Sequence, residues 1–124
     1  MTFKLLAKQY LEAFSKTEQS AQENLNDLLA EDCYLRDWDV GKTGRKEIID
    51  FVQELYDKVL SIDLDILRLH QDGNTVVVEF AILIKSAEEE FPRFIVTDIL
   101  DFTNEGKIKA IRAFKGPTTR DWNR

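Results

Sequence analysis

The sequence predicts an α+β fold in which three N-terminal helices cover one face of a strongly curved, mixed or antiparallel β-sheet and leave a concave mouth. Two observations carry this. Apolar residues recur at helical spacing through the first half of the chain, and from Ile62 onward they alternate at period two in four successive segments. The stretches QDGNT and TNEGK separate strand segments with Gly and Asn, as hairpin turns do. The 124 residues read as one domain, 1–124, without internal repeat or linker.

In the first helix Phe3, Leu6, Tyr10, Ala13 and Phe14 form an apolar stripe, with Lys4, Lys8, Gln9 and Glu12 on other faces. Ser20 offers a cap for a second helix, with Glu23 at capping-box spacing, and this helix is expected to end near Ala30. CYLRD reads as a short strand and DVGKTG as a loop. RKEIIDFVQELYDKVL gives the strongest helix signal, with Ile48, Phe51, Val52, Leu55 and Val59 on one side. IDLDILRLH, TVVVEFAILIKS, RFIVTDILDFT and KIKAIRAFK follow as strands.

Composition removes several function classes. With 17 Lys and Arg against 23 Asp and Glu the chain carries a net charge of −6, which repels nucleic acid and anionic membrane surfaces. The one cysteine, Cys33, excludes an internal disulfide and reads as a small core residue. No apolar run approaches the roughly 20 residues that span a bilayer. The stretch MTFKLLAKQYLEAFSK lacks the apolar core and cleavage site of a secretory signal, so a cytoplasmic location is expected. His70, the one histidine, sits beside the QDGN turn, where exposure is expected, and Asp63 and Asp65 read as a solvated strand face.

Three polar residues stand out. In RFIVTDILDFT, alternation puts Asp98 on the same face as Phe94, Val96, Leu100 and Phe102. A carboxylate left there must find donors or raise its pKa and become a neutral hydrogen-bond donor. Otherwise a bulge turns it outward, or a backbone amide or Arg112 on the next strand satisfies it. Tyr10 packs its ring on the first helix's stripe while its hydroxyl needs a partner, which any core carbonyl supplies as well as a ligand. Asp37 ends the CYLRD strand and reads either as a strand-end acid or as a base at the mouth of the sheet.

The helix bearing Tyr10, the stretch AEDCYLRD, GRKEI opening a long helix, and TDILDF followed by GKI and IRAF occur in an order that resembles the NTF2-like superfamily, specifically its SnoaL-like and ketosteroid-isomerase-like branch. The likeness runs from about Lys8 to Lys115. It implies a cone of three helices and a bent sheet around a pocket, and a homodimer. It also implies a cofactor- and metal-independent isomerase, in which Asp37 moves a proton next to a carbonyl while Tyr10 and protonated Asp98 hold the enolate oxygen. Phe14, Trp38, Phe51, Phe80, Phe94, Val96, Ile111 and Lys115 are the expected pocket lining, and the expected partner is a small, largely apolar molecule.

There are departures from the isomerase pattern. Asp37-Trp38 stands where the isomerases carry Asp-Pro, and Leu29 and Val52 replace the supporting tyrosines. Lys115 occupies an aromatic position of the isomerases and favours an acidic or ionised ligand. Arg36, Asp37 and Asp98 also resemble the Arg/Asp set of the limonene epoxide hydrolase branch, but alternation sends Arg36 away from the face that holds Asp37. A non-catalytic NTF2-like binding or assembly domain is the alternative from a different functional class.

Overall fold

The computed structural model describes residues 2–14, 19–88 and 91–118; the side chains of residue 14 and residues 19–21 lie outside that description, including the Phe14 ring and the Ser20 hydroxyl. Helix α1 spans Lys4–Phe14, α2 Gln19–Leu28 and α3 Arg45–Asp57. The strands are β1 Leu29–Arg36, β2 Gly41–Thr43, β3 Ser61–Asp72, β4 Thr75–Lys85, β5 Phe94–Phe102 and β6 Ile108–Thr118. They form one sheet in the order β2-β1-β6-β5-β4-β3. Every pairing is antiparallel except that of β1 with β6, which makes the sheet mixed.

Several boundaries differ from the sequence reading. Helix α2 begins at Gln19, which puts Ser20 inside the helix and not at its cap. The helix stops at Leu28, because β1 starts at Leu29 and continues through Ala30 to Arg36. Inside the expected DVGKTG loop, Gly41–Thr43 adds a short edge strand to β1. The carbonyls at the end of α2 are met by cations: Lys107 Nζ donates to Asp27 O, and Arg45 Nη1 lies 3.5 Å from both Asn26 O and Leu29 O. Positive charge at a helix C-terminus also complements its dipole.

The helices close one face of the sheet over a continuous apolar core. On α1 the buried side is Ala7, Tyr10, Leu11 and Ala13, with Leu6 only half-buried. Phe3 stacks on Phe102 with centroids 4.8 Å apart, and its backbone N–H donates to Gln71 Oε1 at 2.9 Å, which docks the helix start on β3. Tyr56 Oη donates to Ala13 O and ties the end of α3 to the end of α1. No helix among the described residues is long and apolar enough to cross a membrane.

Bulges bend the sheet and reset its alternation. Between Ile66 and Arg68 the β3·β4 register shifts by one residue, so Ile62, Leu64 and Leu69 all face the core while Arg68 and His70 are exposed. In β6 the register shifts again between Lys115 and Thr118, where Gly116 and Pro117 sit. A proline at a bulge removes no ladder donor that the sheet needs.

Gly44 caps α3 with φ 98° and ψ 141°, donating to Cys33 O at 2.7 Å and accepting from Ile48 N at 3.0 Å. A side chain in that left-handed region is strained, so Gly44→Ala is expected to lose roughly 1–3 kcal/mol. The check is urea unfolding beside Gly41→Ala, whose Cβ would meet only ordinary contacts at 3.8 Å and beyond. Equal midpoint shifts in the two variants would show that the cap carries no strain.

Candidate functional site

The sheet's alternation delivers Asp98 to the interior. It is 5% exposed, the one buried charged side chain among the described residues. Its ladder neighbours are Val78 on β4 and Ala113 on β6, both apolar. Arg112 does not serve it: that residue sits opposite Ile99, on the other face, and its Nη2 contacts Asp101 Oδ2 at 3.0 Å. Thr75 Oγ1 donates to the other oxygen of Asp101 at 2.7 Å. Neither the outward bulge nor the Arg112 pairing is realised.

Burial therefore dominates the protonation of Asp98. Loss of water, and secondly the charge of Asp37, push its pKa from 3.8 up to about 7. The Tyr10 hydroxyl, on a residue 2% exposed, is held well above its ordinary value by burial first, then by Asp98, Cys33, Tyr56 and Asp37. Near neutral pH the pocket thus holds a phenol and a carboxyl group that is substantially protonated, and both can donate.

Asp37 reaches the same cavity by a different device. Leu35 faces the core and Arg36 the outside, where its guanidinium lies 5.6 Å from the Phe114 ring centroid, so Asp37 turns inward again. Asp37 Oδ1 accepts the backbone N–H groups of Asp39 and Val40, each at 2.7 Å, and Asp37 N donates to Val40 O at 2.9 Å. This Asx turn fixes the carboxylate's position and bends the chain into β2. Asp37 is both a structural strand-end acid and a cavity residue.

The cavity measures about 320 Å³ and is lined mainly by apolar side chains. Tyr10, Asp37 and Asp98 line it together, as do the expected Trp38, Phe51, Phe80, Phe94, Val96 and Ile111. Trp38 is 45% exposed at the mouth and meets Phe94 edge-on, with centroids 6.1 Å apart. Lys115 departs from expectation: it emerges on the cavity face opposite Val96, yet it is exposed, outside the lining, with Nζ 5.0 Å from the Phe94 centroid. The strand carries it past the wall to the rim.

The sequence reading missed Leu64, Ile82 and Ile84 as lining residues. Their signal was present, since Ile82 and Ile84 continue the alternation of Phe80 along β4 and Leu64 pairs with Ile82. Asp39 also lines the cavity, beside Asp37. Leu29 and Val52 are fully buried, and the tyrosine that influences Tyr10 is Tyr56, one helical turn beyond Val52, with its hydroxyl committed to Ala13. Cys33 is buried and its thiol is pushed up to about 12 by burial and then Asp32, which makes it a poor nucleophile. His70 is exposed and does not line the cavity. Among the described residues no cluster of three His, Cys, Asp or Glu could hold a metal ion.

A family model described as the SnoaL-like domain matches residues 7–111. Of the solved structures, the chain is similar to a putative isomerase of the SnoaL-like family from Agrobacterium tumefaciens str. C58, with TM-score 0.79 and 18% identity over 94% of this chain and 100% of that one. It is similar to an NTF2-like protein of unknown function from Exiguobacterium sp. 255-15, with TM-score 0.79 and 20% identity over 90% and 98%. An LEH-like epoxide hydrolase from M. tuberculosis aligns with TM-score 0.71 and 17% identity over 86% and 80%. At these identities the likenesses establish the fold. No curated protein sequence matches the chain.

Proposed function

The chain belongs to the SnoaL-like family of NTF2-like proteins, and from that premise we propose that it is a cofactor-independent isomerase of the ketosteroid-isomerase type, acting on a small, largely apolar carbonyl compound. The observation that carries this reading is the pairing of a buried phenol with a buried carboxyl group raised to about 7, in the one cavity that Asp37 also borders. Fold membership alone selects no chemistry.

In this mechanism Asp37 accepts the proton from the carbon next to the substrate carbonyl. The C–H electron pair becomes a C=C bond, and the carbonyl oxygen takes up the negative charge. Tyr10 and neutral Asp98 donate hydrogen bonds to that oxygen, where charge develops, in a cavity walled by Phe51, Phe80, Phe94 and Val96. Asp37 then returns the proton, to the same carbon or to the far end of a conjugated system, and the substrate leaves isomerised.

The epoxide hydrolase of the comparison suggests water activation as a second chemistry. Arg36 argues against it, because its guanidinium rests on Phe114 outside the cavity. Proton exchange tests the isomerase reading without a known substrate. In D₂O near pH 6.5, the protein is expected to accelerate deuterium uptake next to the carbonyl of small apolar cyclic ketones, followed by NMR. If no ketone in such a panel exchanges faster than with buffer alone, the pocket serves binding and not proton transfer.

A further inference from the structure

Building on that reading of the pocket, we infer that its ligand carries a carboxylate at the end remote from its carbonyl, and that Lys115, helped by Lys42, receives this group at the mouth. Both lysines leave the cavity face of the sheet. Lys115 pairs across the ladder with Val96 and Lys42 with Leu35, and both partners line the cavity. Directly opposed residues project to the same side of a sheet. Each ammonium then settles over a lining ring: Lys115 Nζ lies 5.0 Å from the Phe94 centroid and Lys42 Nζ 5.9 Å from the Phe51 centroid. The rings hold the charges near the rim in place of a carboxylate.

That placement is unusual for this chain. Asp and Glu outnumber Lys and Arg by 23 to 17, yet the ion pairs among the described residues are Lys46–Asp50 and Arg112–Asp101. Neither Lys42 nor Lys115 has a carboxylate within 4.0 Å among those residues. The acids that face the same mouth are Asp37 and Asp39, on the turn after β1. Their charge keeps an anion off that turn and leaves the Lys115 side, above β5 and β6, as its landing point.

The pocket is consequently polarised along its depth. At the inner end Tyr10 and Asp98 are 2% and 5% exposed and suit a neutral carbonyl oxygen. The middle is apolar, and the cavity of about 320 Å³ has room for roughly ten water-sized groups. At the outer end stands exposed positive charge. A keto acid with a compact apolar body satisfies all three zones.

Fluorescence titration with three probes tests this: 2-naphthol, 6-hydroxy-2-naphthamide and 6-hydroxy-2-naphthoate. The wild type is expected to bind the naphthoate at least ten-fold more tightly than the amide at low salt, with the advantage shrinking at 0.5 M NaCl. In Lys115→Met, which keeps an apolar stem over Phe94, the ratio of the two affinities should fall close to one. A ratio near one in the wild type overturns the inference, and so does a ratio that survives in the Lys115→Met, Lys42→Met double variant. If 2-naphthol itself does not bind, the pocket reading beneath the inference fails with it; if 2-naphthol binds while the charged and amide probes are equal, only the anion claim falls.

Discussion

Asp98→Asn is expected to melt roughly 15 °C above the wild type at pH 8.5 and at nearly the same temperature at pH 4. The sign follows from proton linkage. The folded-state pKa of Asp98 is raised to about 7 from 3.8. Below the lower value both folded and unfolded chains hold the proton, so its burial costs nothing extra. As pH climbs between the two values, unfolding releases a proton and stability declines, and above 7 the full penalty of a buried carboxylate is in place. A shift of this size corresponds to about 4 kcal/mol, and the residue is 5% exposed, so solvent screens little of it. Asn is neutral throughout and escapes the penalty. Thermal melts of both proteins between pH 4 and 9 measure it, and a difference that does not change with pH would mean that Asp98 ionises in the fold as readily as in the unfolded chain.

The same titration governs the proposed chemistry. Above pH 7 Asp98 changes from donor to acceptor and repels the enolate it should hold, while Tyr10, with its pKa well above the ordinary value, stays protonated. Activity is therefore expected to fall as pH rises through 7, where the decline in stability levels off. A stability cost retained at one residue, beside a phenol and at the wall of a cavity, is the pattern of a site kept for function.

Much of this was legible in the sequence because period-two alternation is a strong constraint. Phe94, Val96, Leu100 and Phe102 leave Asp98 no other face while β5 stays regular, and all five are buried. What alternation does not transmit is register. A β5–β6 hairpin closed at Phe102 and Ile108 and continued without interruption would set Asp98 opposite Arg112, and the charge would be paired. The bulge between Asp101 and Phe102 moves Ala113 into that place and sends Arg112 to Asp101 on the other face. A shift of one residue thus separates a buried ion pair from a neutral acid in a pocket. The parallel β1·β6 pairing was equally hidden, since Leu35 meets Ile111 from far along the chain and nothing local announces it. In β3 a clue was available: Ile66 and Leu67 are adjacent, and Leu69 resumes the apolar face only if the strand is bulged there.

Asp37→Asn is expected to slow proton exchange by about 10²–10⁴-fold while the fold and the affinity for a phenol probe are retained. The turn explains why this substitution separates chemistry from structure. Both backbone N–H groups that fix Asp37 bond to Oδ1, and an Asn side-chain oxygen accepts them equally well. What Asn loses is basicity. Asp37→Ala, by contrast, removes the acceptor as well, leaves the Asp39 and Val40 amides without it, and should cost about 1–2 kcal/mol of stability on top of the activity. Loss of the Asp37 charge also removes the secondary influence that raises Asp98, so the midpoint of the pH profile for probe binding should move down in Asp37→Asn. A dead enzyme with that shift and an intact melt identifies the base. Full exchange activity in Asp37→Asn would transfer the role to Asp39, the other acid bordering the cavity, and make the Asx turn the whole function of Asp37.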